Sequence, residues 1–276
     1  MNLNLDPTFG PNANQIAFEA FTFNGGEPHI KIKSDIPKNQ EVVIYHRINS
    51  FNDLGLLLVA TDALKHMGVK DIALFLPYLP GARQDRLMVA GEPLTVKVYT
   101  QLINAQHYSS VSLFDPHSEV GPALLDNCVA INNHTFIQRV CEQIEKDAFL
   151  ISPDGGALKK IYKLAAYLQD YHVVECSKSR DVKTGQLTGF KVYADTLENK
   201  SCLVVDDICD GGGTFIGLAE RLKEKQAGKL YLAVSHGIFS KGFDTLLKHY
   251  DKIFVTNAVR DVQHPKVIQI NLLDLN

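Results

Sequence analysis

The chain has 276 residues, 45% of them hydrophobic and 21% charged, with a formal net charge of −3 at pH 7. That length can bury one large core or two of ordinary size, and the slight negative balance leaves no electrostatic footprint for nucleic acid or an anionic membrane surface. Five cysteines, odd in number and without Cys-x-x-Cys spacing, argue against a disulfide framework or a zinc site and for a reducing, cytoplasmic setting.

Taken in chain order, the opening residues lack the basic and apolar regions of a signal peptide. Phe21–Ile32 reads as two strands about Asn24-Gly25-Gly26, a hairpin signal. Strands and helices then alternate as in an α/β fold with parallel sheets. Strands are predicted at Val42–Ile48, Asp71–Leu76 and Ser110–Phe114, with helices at Leu54–His66 and Pro93–Ala105. The apolar run at Leu54–Ala60 is too short to span a bilayer. Cys128–His134 reads as a connection, placing a domain boundary between 132 and 133. Beyond it come helices at Phe136–Glu145, Leu158–Leu168 and Phe215–Lys225. Strands are predicted there at Ala148–Ile151, His172–Glu175, Cys202–Asp206, Lys229–Ser235 and Lys252–Thr256. Ser177–Thr188, rich in Lys, Arg, Asp, Thr and Gly, reads as a mobile basic loop. Val42–Phe75 and Cys202–Val234 share the order strand, loop, helix, strand, a faint internal repeat.

Two segments carry chemistry. Leu203-Val204-Val205 runs into the paired acids Asp206 and Asp207, then into Asp210-Gly211-Gly212-Gly213-Thr214 ahead of a helix. Glycines let backbone N–H groups crowd around an anion, and a helix N-terminus adds its positive dipole end. Acid for sugar hydroxyls beside glycine for a phosphate reads as a ribose-phosphate cradle. Upstream, Pro77-Tyr78-Leu79-Pro80-Gly81-Ala82-Arg83-Gln84-Asp85-Arg86 follows a buried strand. Its two arginines suit fork-shaped contacts to a polyphosphate. No Gly-x-x-x-x-Gly-Lys-Ser/Thr is present, which excludes the ordinary P-loop.

The Asp206–Thr214 segment resembles the phosphoribosyl-diphosphate motif of the type I phosphoribosyltransferase fold, and Arg83–Arg86 resembles the ATP signature of the ribose-phosphate diphosphokinases. Similarity to that family runs from about residue 21 to residue 257. It implies an α/β protein of two tandem phosphoribosyltransferase-like domains, 1–132 and 133–276. It assigns ATP to Phe23, Glu27, Arg83, Gln84, Asp85, Arg86 and His117. It assigns the 5-phosphorylated ribose to Asp206, Asp207, Asp210, Gly211, Gly212, Gly213 and Thr214. Mg²⁺ would be held by His117 and Asp154, with Lys178 and Arg180 as catalytic cations. The implied reaction is attack of the ribose 1-hydroxyl on the β-phosphorus of ATP, with AMP leaving, in a homodimer or higher homo-oligomer.

The family's 5-phosphate loop reads Asp-Thr-Ala-Gly-Thr, so Gly211 lacks a hydroxyl and Gly212 a side chain, which would open space beyond the phosphate. That change would fit a bulkier 5-substituent such as ADP-ribose, as in NAD salvage, but the family resemblance makes ribose 5-phosphate the expected acceptor and ADP-ribose the alternative. Gly25 replaces the hairpin's usual aspartate, and both chain ends look trimmed. A phosphoribosyltransferase and a non-catalytic synthetase-associated subunit remain competing readings.

Overall fold

Short apolar runs alternating with amphipathic helices become parallel strands, because each crossover helix returns the chain to the same end of the sheet. The computed structural model describes residues 1–169, 171–180 and 187–275, and falls into two units, Met1–Asn132 and Asn133–Asn276.

In the first unit, β1 (Asn2–Asn4), β4 (Val42–Tyr45), β5 (Ile72–Leu76), β6 (Val111–Phe114) and β7 (Cys128–Ile131) form a parallel sheet in that order. Helix α1 (Phe51–His66) links β4 to β5 and buries Leu54, Leu57, Ala60, Thr61 and Leu64 in the core. Its start is fixed by a reciprocal cap: Ser50 Oγ accepts the Asp53 N–H, while the Asp53 carboxylate accepts the Asn49 N–H and the Ser50 hydroxyl. Helices α2 (Thr95–Asn104) and α3 (Val120–Leu124) complete the unit. The hairpin β2 (Phe18–Thr22) and β3 (Pro28–Ile32) forms its own two-stranded sheet and packs on α1, where Pro28 fills the space beside Gly55. At the carboxyl ends of β1 and β4, the buried Arg47 guanidinium is 2.5 Å from the Asp6 carboxylate, donates to Thr8 Oγ1 and lies over the Phe9 ring.

The second unit holds α4 (His134–Cys141), β8 (Phe149–Ser152), α5 (Leu158–Leu168), β9 (Val173–Arg180), β10 (Leu187–Val192) and β11 (Cys202–Cys209). Helix α6 (Gly213–Glu224), β12 (Leu230–Gly237), β13 (Lys252–Thr256) and β14 (Val267–Ile270) follow. The strand order is β10-β9-β8-β11-β12-β13-β14, parallel except for the antiparallel β9–β10 edge. β12 is buried along its whole length, as expected of a parallel strand covered on both faces.

Two expectations need correction. Cys128–Ile131 is no connection but the edge strand β7, a short apolar run of four residues that pairs with β6 and exposes Val129 and Ala130. Ser177–Thr188 is not a loop throughout: Ser177–Arg180 continues β9, and Leu187 begins β10. Residues 181–186 and the Arg180 side chain lie outside the described residues. All five cysteines are free, and no described helix is long and apolar enough to cross a membrane.

Leu57 is fully buried at the centre of the first core. Leu57→Ala should lower stability by about 2–5 kcal/mol, read as a reduced urea midpoint, whereas the more exposed Lys65→Ala on the same helix should shift it by under about 0.5 kcal/mol.

Candidate functional site

In the second unit, strand order reverses between β8 and β11, and in open α/β sheets ligands sit at such a switch point beyond the strands' carboxyl ends. The last β8–β11 pair is Ile151 with Val204, after which β11 runs on to Cys209 beside β12. The predicted acids Asp206 and Asp207 therefore lie inside a strand, on the stretch whose β8 side is unpaired. Asp206 accepts the Asp207 N–H at 2.9 Å, and Asp207 accepts the Ile208 N–H at 2.9 Å. Burial, then the charges of Asp207 and Asp154, push the Asp206 carboxyl well above the usual carboxylate range.

Asp154 follows β8 in a turn that fixes its orientation. Its Oδ1 accepts N–H bonds from Gly156 at 2.8 Å and Ala157 at 3.0 Å, and its Oδ2 pairs with Lys178 of β9. Burial opposes its ionisation, but the Lys178 hydrogen bond and charge and the two amides outweigh it and hold the carboxyl below its ordinary value. Three predicted site residues, Asp154 after β8, Lys178 of β9 and Asp206 of β11, are thus brought together. Among the described residues no group of three or more His, Cys, Asp or Glu side chains is arranged to hold a metal. Two protein donors supplemented by nucleotide oxygens and water are nevertheless an ordinary magnesium set. The Asp154 carboxylate, half-buried and already drawing a cation, is a fitting donor for that set.

The glycine loop leads into α6. Gly212 adopts φ +77°, a left-handed conformation at the helix N-cap, and a Cβ there would stand 3.0 Å from Leu246 Cδ2. This corrects the expectation that Gly212 opens space toward a ligand: the position is filled by Leu246, and the backbone itself calls for glycine. Gly211 is different, with only the Lys241 side chain at 3.5–3.9 Å.

In the first unit, the segment after β5 alternates inward and outward. Ala82 and Asp85 are buried, while Arg83, Gln84 and Arg86 face out. Gly81, at φ +73°, lets this turn press against the start of α2. The Asp85 side chain is 4% exposed against 72% for Arg86, whose Nε donates to it at 3.1 Å. Burial works against Asp85 ionising, but hydrogen bonds from Ser118 and Arg86 and the nearby His117 hold its carboxyl low. Asp85 therefore links the arginine turn to the His117 segment rather than facing outward with its neighbours. Ser118 escaped sequence reasoning, as did Leu246; neither residue type carries a signal without the fold. Asp115, at the end of β6, takes φ +39°, an uncommon backbone for a non-glycine residue, two residues before His117.

The hairpin presents Phe21 and Phe23, about half exposed, edge-to-face at 4.8 Å with His29 beside both. The Glu27 carboxylate folds over Gly25, where a Cβ would meet it at 2.5 Å.

A family model for the N-terminal domain of ribose phosphate pyrophosphokinase matches residues 12–106, and one for the phosphoribosyl transferase domain matches residues 123–267. The chain is 32% identical over 266 residues to the ribose-phosphate pyrophosphokinase of Mycoplasma pneumoniae, covering 92% of this chain and 79% of that protein. It is 27% identical to the enzyme of the same name from Pyrococcus abyssi, covering 92% and 88%. The crystal structure of phosphoribosylpyrophosphate synthetase from Mycobacterium smegmatis superposes with a TM-score of 0.82 at 23% identity, covering 95% and 88%, a shared fold.

The two carboxyls of opposite shift give predictions of opposite sign. Folded Asp206 keeps its proton above the unfolded value, so rising pH favours the unfolded chain. Asp206→Asn should raise the Tm at about pH 8, with the gain vanishing near pH ~4. Asp154 is held low, so its contribution is present above the unfolded value and lost as pH falls below it. Asp154→Asn should lower the Tm at about pH 8 and converge with wild type in acid below pH ~4; calorimetric melts across pH check both.

Proposed function

Because the chain belongs to the ribose-phosphate pyrophosphokinase family, whose members are transferases, we propose that it moves the diphosphoryl group of ATP to the 1-hydroxyl of a 5-phosphorylated ribose and releases AMP. The observation that carries this reading is the convergence of Asp154, Lys178 and Asp206 at the strand-order reversal, one strand end away from the glycine loop.

Such a transfer asks the protein for in-line positioning and charge neutralisation more than for covalent chemistry. Asp206 and Asp207 accept the ribose 2- and 3-hydroxyls, which fixes the 1-hydroxyl toward ATP. The N–H groups of Gly211–Thr214 and the α6 N-terminus receive the 5-phosphoryl group. Arg83, Gln84 and Arg86 hold the nucleotide, with Asp85 keeping their turn in register with His117. Mg²⁺, assigned to His117 and Asp154, would neutralise polyphosphate charge when bound. Lys178, paired with Asp154 in the free protein, exchanges that partner for the transferring phosphoryl oxygens; Arg180 is assigned the same task. Ribose 5-phosphate is the favoured acceptor. ADP-ribose rests on the missing side chain at Gly211 alone, since Leu246 removes the Gly212 half of its case. The exposed Phe21–Phe23–His29 cluster suits burial against a second copy of the chain, consistent with a cytoplasmic homo-oligomer.

Incubation with ATP and Mg²⁺ plus ribose 5-phosphate should yield AMP; no AMP with any ribose would favour the non-catalytic subunit. Lys178→Ala should cut kcat by about 10²–10³-fold with little change in KM. Equal losses for Lys178→Ala and the surface control Lys248→Ala would remove Lys178 from the mechanism.

A further inference from the structure

Lys241 belongs to none of the motifs above, yet it is the side chain that lies over Gly211. Its Cε, Cδ and Cγ stand 3.5, 3.6 and 3.9 Å from where a Gly211 Cβ would be. The ammonium, one bond further on, is within about 5 Å of that point. Among the described residues it makes no hydrogen bond and no ion pair.

The turn carrying Lys241 is tied to the glycine loop. The N–H groups of Ile238 and Phe239 both donate to the Cys209 carbonyl, at 2.9 and 3.1 Å. The Arg260 guanidinium donates to the carbonyls of Ile238 and Phe239. Phe239 takes φ +47° and is 2% exposed, its ring 4.7 Å from that of Phe243, and the Gly242 N–H closes the turn on the Phe239 carbonyl at 2.9 Å. Gly237 must be glycine for this to form, since a Cβ would meet the Phe239 ring at 2.2 Å. An exposed lysine normally samples many rotamers; here the backbone beneath it is fixed, and its stem is laid against the loop read as the anion cradle.

We infer that Lys241 binds the phosphoryl group on the ribose 5-oxygen, supplying from the β12 turn the charge that compensates for the bare Gly211. The inference rests on the ribose-phosphate reading of the loop. A lysine meets phosphate as a mobile point charge, so it tolerates a monoester dianion or the first phosphoryl group of a diphosphate. The shared chemistry is thus a phosphorylated ribose 5-position, and two acceptors separate the sources.

AMP release at saturating ATP and Mg²⁺ is measured against ribose 5-phosphate and, in a second arm, ADP-ribose, for wild type, Lys241→Met, Lys241→Arg and Lys248→Ala. Methionine keeps the stem and removes the charge. On whichever acceptor wild type uses, Lys241→Met should raise the acceptor KM about 10–100-fold, with kcat and the KM for ATP near wild type. Lys241→Arg should recover most of the loss. An unchanged acceptor KM in Lys241→Met overturns the inference while leaving the proposed reaction standing. If wild type releases no AMP with either acceptor, the reaction fails instead. Calorimetric binding of ribose 5-phosphate then decides Lys241: affinity reduced about tenfold in Lys241→Met supports it, and equal affinity overturns it.

Discussion

Carboxyl groups crowded at one edge of a buried sheet set the terms for the second unit. Asp206 and Asp207 occupy consecutive positions of β11, and the charge of Asp154 reaches Asp206 from the turn after β8. Like charges in a low-dielectric crevice cannot all ionise without cost, and the protein divides them: the Asp206 carboxyl is pushed up by burial and its acidic neighbours, while Asp154 takes Lys178. The Asp154 turn, held by two amides, and the length of β11 beyond its last pair with β8 both serve to keep that arrangement in place.

The glycine loop illustrates how one sequence feature can hold two causes. Gly212 is dictated by its left-handed backbone and by Leu246, and so says nothing of the ligand. Gly211 has no such constraint and borders a lysine. Adjacent identical residues carry separate information, and only packing tells them apart. The same holds for Arg83–Arg86, where the buried Asp85 organises its neighbours and the exposed residues face out.

Much of the fold was legible because parallel strands buried on both faces read as unbroken apolar runs: β5, β12 and β13 stand within a residue or two of their predicted ranges, and α5 coincides with its own. What escaped were edges. β7 and β10 pair on one side only; β1 has three residues and β10 mixes Thr, Gly and Lys among its apolar residues, while the four-residue apolar run of β7 is too short to stand out from the Asn-rich segment that follows it. The site residues were legible as types at a spacing. Their partners were not, because Ser118, Leu246 and Lys241 meet the motif residues only through turns brought together by the sheet.

The Arg47–Asp6 pair in the first unit shows the converse of the crowded acids. It stands where β4 gives way to α1, the counterpart in the repeat of β11 giving way to α6. Burial opposes Asp6 ionising, but Arg47 and Thr8 more than offset it, and the guanidinium is further covered by Phe9. Here the strand-end cation, Arg47, already has its complement within the chain in Asp6. Two halves of similar order can thus differ without new architecture, one closing a strand end with an ion pair and the other crowding acids there. Loss of Arg47 alone would leave Asp6 beside its strand end without a cation, so a single substitution separates a closed corner from a charged one.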